Sequence, residues 1–548
     1  MIHNRSVRTR TRAAAATAVV ALAALVAGCS GSSGEEDNGR FVVFSPQQTG
    51  SDLATNAYTE QVAEELDLDF EWQTTTYDSA AAAENRQVSL VGGDYPDAYL
   101  LIDWVDAFTR AELLRYGQQG VALPLNDLIA EHAPNITAAM EAEPEWAEAL
   151  YAPDGNIYGI SRWDECYHCS YPAKLWMNST WLDELGLEQP TTTDEFRDVL
   201  RAFKNDDPNG NGEADEVPLS GSVDTSIIPY IMNAFTYAPI GGDGSPGPLA
   251  LNGDQVVMQA VTDEWREGLE FINSLFDEDL VDAAAFSQNA EALLSLGNSS
   301  NGVVLGAGPG LHPGVIVTID QEDGRDRQYD AVPPLTGPEG WSTTSGNSSV
   351  NPLSMFVLTN RATEEEQVKA IQMMDALYTD EGRLAAQWGP EGVAWEPASG
   401  DDEALDPELE PSFEALPYED TQNLAWRSLA QYYNPAEFRN AQVVATDSYT
   451  LAGYERRLFD ATEQYAPFAP EEDTVFPYYS LWPDLETSAE LAEVQTNITS
   501  YITQANAEFA TGQRDVTDDA EWDAYLSDLD GLGLARYLEL WQELYDAA

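Results

Sequence analysis

Residues 207–216 read Asp207-Pro208-Asn209-Gly210-Asn211-Gly212-Glu213-Ala214-Asp215-Glu216. Oxygen-bearing side chains stand at positions 1, 3, 5 and 9 of this run, and glycines at 4 and 6 let the backbone turn tightly between them. A hard cation such as calcium collects about six to eight oxygens around one point. Asp207, Asn209, Asn211 and Asp215 offer such oxygens from side chains, and Glu213 offers its backbone carbonyl. The EF-hand pattern asks for a bidentate Glu at position 12, where Pro218 stands. The run is therefore not an EF-hand, and Glu216 with Asp215 closes the sphere instead. The expectation is a structural calcium site; the competing reading is a polar Asn/Gly turn without metal.

A second run, Cys166-Tyr167-His168-Cys169, admits three chemistries. Outside the cytoplasm a lone cysteine pair is usually a disulfide. A Cys-x-x-Cys run also suits thiol exchange when its first cysteine is activated at a helix N-terminus. Zinc is the third reading, but a closed site needs four ligands. Beyond this run, the histidines after the leader are His132 and His312. The nucleophile elbow Gly-x-Ser-x-Gly and the zinc motif His-Glu-x-x-His are both absent from the sequence. Paired carboxylates of the kind glycosidases use stay open among 95 acidic residues.

These residues need a scaffold, and the pattern supplies one. Residues 41–44 form a short apolar strand, and 58–66 read as a helix. Leu66, Leu68, Phe70 and Trp72 alternate with polar residues, the period of a strand. Ser79 is the expected cap of a helix ended by Gly92-Gly93, and 98–102 is a buried strand. This βαβαβ order implies a parallel sheet between helices, an α/β fold. Ligands of such sheets gather at the carboxyl ends of the strands, here Gln47-Gln48 and Asp103-Trp104. Farther on, 171–187 is a strand-to-helix passage. Thr192 and Glu195 form a capping box before Phe196, Val199, Leu200 and Phe203 at helical spacing. Thr363 and Glu366 repeat the plan for 363–382, and 491–509 and 522–545 are helical. Residues 400–418 read as an acidic surface loop.

The N-terminus is a targeting segment. Arg5, Arg8, Arg10 and Arg12 precede an apolar run over 13–27, too short to span a bilayer comfortably but suited to a signal peptide. It ends Leu25-Val26-Ala27-Gly28-Cys29, which resembles a bacterial lipobox. Residues 1–28 are read as the signal peptide, Cys29 as the lipid-bearing residue and 29–39 as a flexible tether. The whole chain of 548 residues carries a net charge of −70, and loss of the four leader arginines makes it four units more negative. Such a surface repels nucleic acid and anionic lipid heads. A hydrophobic fraction of 43% supports sizeable cores, and the length supports two domains or more.

Larger stretches carry a resemblance. Cys166 to Tyr171, Lys174-Leu175-Trp176-Met177-Asn178, Trp181-Leu182-Asp183-Glu184-Leu185-Gly186-Leu187, Pro190 to Phe196 and the 207–216 loop together resemble the extracellular solute-binding proteins of family 1. Within it the chain is similar to the large lipoprotein branch found beside oligosaccharide and alginate importers. Gly93-Asp94-Tyr95-Pro96-Asp97, Asp154-Gly155-Asn156-Ile157-Tyr158-Gly159 and Gly389-Pro390-Glu391-Gly392-Val393 agree, so the likeness covers nearly the whole chain after the leader.

The resemblance implies a type II periplasmic-binding-protein fold: two α/β lobes, a discontinuous chain and a ligand cleft between the lobes. It implies a carbohydrate ligand, a permease and an ATPase on other chains, and a lipid-anchored monomer on the outer face of the cell membrane. In alginate-binding relatives the matching loop holds calcium, which assigns Asp207, Asn209, Asn211, Glu213, Asp215 and Glu216 here. Sugar rings stack their C–H faces on aromatics while amides and carboxylates take their hydroxyls. On that basis Gln47, Asp103, Trp104, Trp163, Tyr167, Trp388 and Trp395 are the candidate ligand residues, with core packing the competing role of each aromatic. Lobe 1 is expected over 40–161 and 341–378, lobe 2 over 162–340, and 379–548 as a helical region shared by both. The alternative to an importer subunit is a lipid-anchored carbohydrate-active enzyme, a glycosidase or lyase.

Overall fold

The computed structural model describes residues 39–240, 245–416 and 423–548. The signal-peptide reading, the Cys29 lipid anchor and all but the last residue of the tether lie outside the described residues. In chain order the strands are β1 (Phe41–Pro46), β2 (Phe70–Thr75), β3 (Ala98–Leu100), β4 (Ile160–Asp164), β5 (Leu175–Asn178), β6 (Leu249–Asn252) and β7 (Gln255–Met258). They continue with β8 (Ala307–Pro309), β9 (Tyr329–Val332), β10 (Val350–Leu358), β11 (Trp395–Pro397), β12 (Phe413–Ala415) and β13 (Tyr433–Asn434).

A six-stranded sheet of order β13-β4-β10-β3-β1-β2 organises the first core. β1 runs parallel to β2, with Phe41 opposite Phe70, and parallel to β3, with Val43 opposite Ala98. The crossover helices are those the pattern requires. Ala57–Leu66 starts where the Asn56 side chain accepts from the amides of Tyr58 and Thr59, and stops at left-handed Asp67. Ser79–Gly92 stops at left-handed Gly93, but its N-cap is Asp78, not Ser79. The Asp78 carboxylate accepts from the Ala81 amide, so Ser79 becomes the first helical residue. β10 returns late in the chain and lies antiparallel to both β3 and β4. Phe41, Tyr99, Phe108, Trp146, Ile371 and Tyr432 fill this core.

The second core surrounds an antiparallel sheet of order β8-β5-β9. The helix Thr193–Asn205 buries Phe196, Val199, Leu200 and Phe203 against it. Thr192 caps that helix through the Glu195 amide, while the Glu195 carboxylate reaches the amide and hydroxyl of Thr191 rather than closing the expected box at Thr192. The reciprocal box at Thr363 and Glu366 is complete. The single helix expected over 363–382 is two, Glu364–Ala376 and Asp380–Gln387, because Thr379 caps a new start. Likewise 522–545 divides into Asp519–Gly531 and Leu534–Ala547 at left-handed Gly533. In the loop expected over 400–418, β12 pairs antiparallel with β11.

Among the described residues the chain passes between the cores after β4 over 165–174, before β10 over 336–349, and after β13 over 435–457. From the last passage onward, Leu458, Phe476, Ile498, Phe509, Tyr525 and Tyr537 belong to the second core. Tyr479 and Trp482 reach back to the first, where Trp482 Nε1 donates to the Ala149 carbonyl at 2.9 Å.

Candidate functional site

Between the two cores lies a cavity of about 570 Å³. The first core contributes the ends of β3 and β4 and the start of β10. The second contributes Tyr237, Ile240, Ser245 and Leu249 together with Phe476 and Tyr478. Two of the passages, at Cys166–Cys169 and at 346–349, form part of its lining.

Asp103 follows β3 and is buried. Its Oδ1 accepts from the Trp104 amide at 3.0 Å, and its Oδ2 accepts from Asn351 Nδ2 and from the Arg162 guanidinium, the last at 2.9 Å. Arg162 is the central residue of β4. It also approaches Asp164 at 3.5 Å, and Asp164 takes a second cation, Arg439, at 3.0 Å. Burial pushes the Asp103 carboxyl above the usual carboxylate range, the Asp164 charge adds to that, and Arg162 and the Trp104 amide pull against it. Trp104 is 46% exposed, with the Arg162 guanidinium 5.5 Å from its ring centroid. Much of a large aromatic side chain is thus left exposed at the cavity, with a cation against its ring. Trp163 Nε1 is buried without a hydrogen-bond partner.

Of the seven candidate ligand residues, Asp103, Trp104 and Trp163 come together in this cavity. The other four lie elsewhere. Gln47 accepts from the Leu53 amide at 3.0 Å and braces the turn after β1. Tyr167 packs 4.6 Å from Phe459, ring to ring, and bonds Glu463. Trp388 sits edge-on to Phe413 and Phe438, and Trp395 donates to the Gly389 carbonyl. Sequence reasoning passed over Arg162, Asp164, Tyr237 and Tyr479. The signal for the first two was their place beside the boundary expected between the lobes at residues 161 and 162; for the tyrosines the sequence carries none.

Cys166 and Cys169 are joined by a disulfide in the first passage. Beside it, His168 pairs with Glu455 at 3.3 Å, and buried Lys174 donates to the carbonyls of His168 and Tyr171 at 2.8 and 2.7 Å. Burial pushes the Lys174 ammonium down to about 7, an effect the two accepting carbonyls oppose. A lysine held below its unfolded value binds fewer protons folded than unfolded between the two pKa values. Stability is therefore expected to rise by up to a few kcal/mol as pH climbs from about 7 toward the unfolded lysine value of about 10.4. Urea denaturation at a series of pH values reads the slope. Lys174→Met should flatten it, and an unchanged slope in that variant would assign the proton to another group.

Remote from the cavity, the 207–216 loop folds on its own side chains. The Asp207 carboxylate accepts from the amides of Asn211 and Gly212, both at 3.1 Å. Asp215 Oδ1 accepts from the side-chain amides of Asn209 and Asn211 at 3.1 and 2.9 Å. Asp207, Gly210 and Gly212 all have positive φ, which winds the loop around these groups. Glu216 Oε1 is buried without a partner. Burial raises the Glu216 carboxyl, and the charges of Asp215 and Asp207 raise it further.

No family model matches the chain. Over 530 residues it is 28% identical to the fructooligosaccharide ABC transporter substrate-binding protein FusA of Streptococcus pneumoniae serotype 4, covering 92% of this chain and 90% of that protein. The structure of S. pneumoniae FusA in complex with kestose superposes with a TM-score of 0.69 at 25% identity, covering 93% of this chain and 99% of that one. A FusA EF-hand mutant in complex with fructo-nystose gives the same TM-score at 24% identity and the same coverage. An extracellular solute-binding protein from Bifidobacterium longum subsp. infantis shares the fold, with a TM-score of 0.74 at 21% identity over 92% of this chain and 97% of that one.

Proposed function

We propose that this chain is an extracellular solute-binding protein of family 1, which captures an oligosaccharide outside the membrane and hands it to the permease of an ABC importer. One observation carries the reading: a cavity of about 570 Å³ between two cores, with Trp104 bare on its wall. That volume falls within the range of roughly 300–1,000 Å³ common to small-molecule sites. The two cores are the lobes of this proposal, with residues 379–548 contributing to both. The three passages are the hinge segments about which the lobes close. Trp104 stacks on a sugar face, and Asn347, Ser348 and Ser349 take hydroxyls. Cys29 carries the lipid anchor, and among the described residues no helix is long and apolar enough to cross a membrane.

The reading is of a binding protein and not an enzyme. Both oxygens of Asp103 are committed to neighbours, and Asp164 is shared by two arginines, so the cavity uses these carboxylates to hold cations. Kestose is the probe for a first test. Saturating sugar should shift tryptophan fluorescence and reduce the radius of gyration in solution scattering, with no new reducing ends. Release of reducing ends would favour the carbohydrate-active enzyme.

In this proposal the 207–216 loop takes a calcium ion, which Asp207, Asn209, Asn211, Asp215 and Glu216 would hold with the Glu213 carbonyl. The supporting observation is the partnerless buried oxygen of Glu216 beside two further carboxylates. A divalent cation would offset most of their negative charge. The loop itself joins the end of the helix Thr193–Asn205 to Val217 and Leu219, which bridge to Leu305 and Val281.

A further inference from the structure

Among the described residues lining the cavity, the charged groups are Asp103, Glu145, Arg162 and Asp164. Arg162 is the one cation, and it is already spent: Asp103 binds it at 2.9 Å and Asp164 faces it at 3.5 Å. Outside the lining, Arg439 is itself bonded to Asp164, and Arg110 donates to the backbone carbonyls of Tyr479 and Leu481. Glu145 is exposed and pairs with the Tyr479 hydroxyl. The rest of the polar lining is uncharged and includes Ser245, Asn347 and Asn351, and the apolar part includes Trp104, Tyr237 and Phe476.

Resting on the carbohydrate-capture reading, we infer that this cleft selects neutral oligosaccharides and rejects those bearing carboxylates. A uronate in the cavity has two choices. It can sit among carboxylates without a cation, or it can take Arg162 from Asp103 or Asp164. The second choice leaves a buried carboxylate without its partner, the arrangement by which sites discriminate against a wrong ligand. Asp103 is buried to 95%, so water cannot replace the lost guanidinium. A chain charge of −70 adds a field that an anion must enter and a neutral sugar does not feel. Neutral rings lose nothing by either route: the bare Trp104 face and the hydroxyl- and amide-lined wall are what they use.

The test is calorimetric titration of the purified protein with matched trisaccharides at one ionic strength. Kestose, maltotriose and xylotriose serve as neutral probes, and trigalacturonate and an alginate trimer as acidic ones. At least one neutral sugar should bind at least 100-fold more tightly than either acidic trimer. Asp164→Asn, which frees cationic charge beside the cavity, should raise the ratio of acidic to neutral affinity at least tenfold. Acidic trimers binding as tightly as the best neutral sugar would overturn the inference and leave oligosaccharide capture standing, and an affinity ratio unmoved by Asp164→Asn would overturn its stated cause. If none of the five sugars bound, the capture reading itself would fall, and the inference with it.

Discussion

Replacing Arg162 with methionine is expected to destabilise the protein by about 3 kcal/mol, the lower end of what stranding a buried ion-pair partner costs. The side chain is 22% exposed while Asp103 and Asp164 are nearly inaccessible, so the loss falls on the two carboxylates. Asp164 keeps Arg439, whereas Asp103 keeps only the Trp104 amide and Asn351. The deficit should therefore concentrate at Asp103. Adding Asp103→Asn to Arg162→Met should restore part of the stability, because an amide tolerates burial without a cation better than a carboxylate does. Sugar affinity should fall about tenfold as well, since Trp104 loses the guanidinium against its ring. Urea unfolding followed by circular dichroism measures the first effect and a double-mutant cycle the second variant's rescue. A loss below 1 kcal/mol, or no rescue by Asp103→Asn, would mean that Arg162 does not hold this wall.

Chelation is the second large effect. A ligand that binds only the folded state stabilises it by about 2.7 kcal/mol when present at a hundredfold its dissociation constant. Removing calcium should lower the melting temperature by a few degrees, the shift being modest because a chain of this size unfolds with a large entropy. Asp207→Asn is the appropriate variant. Asp207 has φ of 47°, a conformation that asparagine tolerates and alanine does not, so the substitution removes charge without adding backbone strain. The variant should melt where the chelated native protein does and should ignore chelator. Sugar affinity at temperatures where both remain folded should change little, because the loop residues do not line the cavity. An unchanged melting temperature, with no calcium in elemental analysis, would reduce 207–216 to a turn.

The parts of this fold legible in the sequence are those decided locally. Thr192 and Thr363 cap helices because a short polar side chain reaches the next amides whatever lies beyond. The strand segments at β1, β2 and β3 are parallel because helices between them force crossovers. Long-range contacts were not legible. Trp388 looks like a stacking residue until Phe413 and Phe438 close around it. Tyr378 continues a helical apolar stripe, yet the helix ends before it and its ring stacks on Tyr433. Arg162 reads as an ordinary polar residue of a strand; its importance comes from Asp103, more than fifty residues earlier, and Arg439, far later. Trp104 was legible because it follows a strand end, where topology alone places ligands.

The measurement that bears most directly on the account is calorimetry of the purified protein against a panel of oligosaccharides, repeated with Trp104→Ala. The account predicts saturable binding at one site per chain, with a dissociation constant in the micromolar range or below for at least one sugar. It also predicts a loss of about 1–3 kcal/mol on removing Trp104, the scale of burying one aromatic face. No binding by any sugar in the panel, or binding that Trp104→Ala leaves untouched, would contradict it.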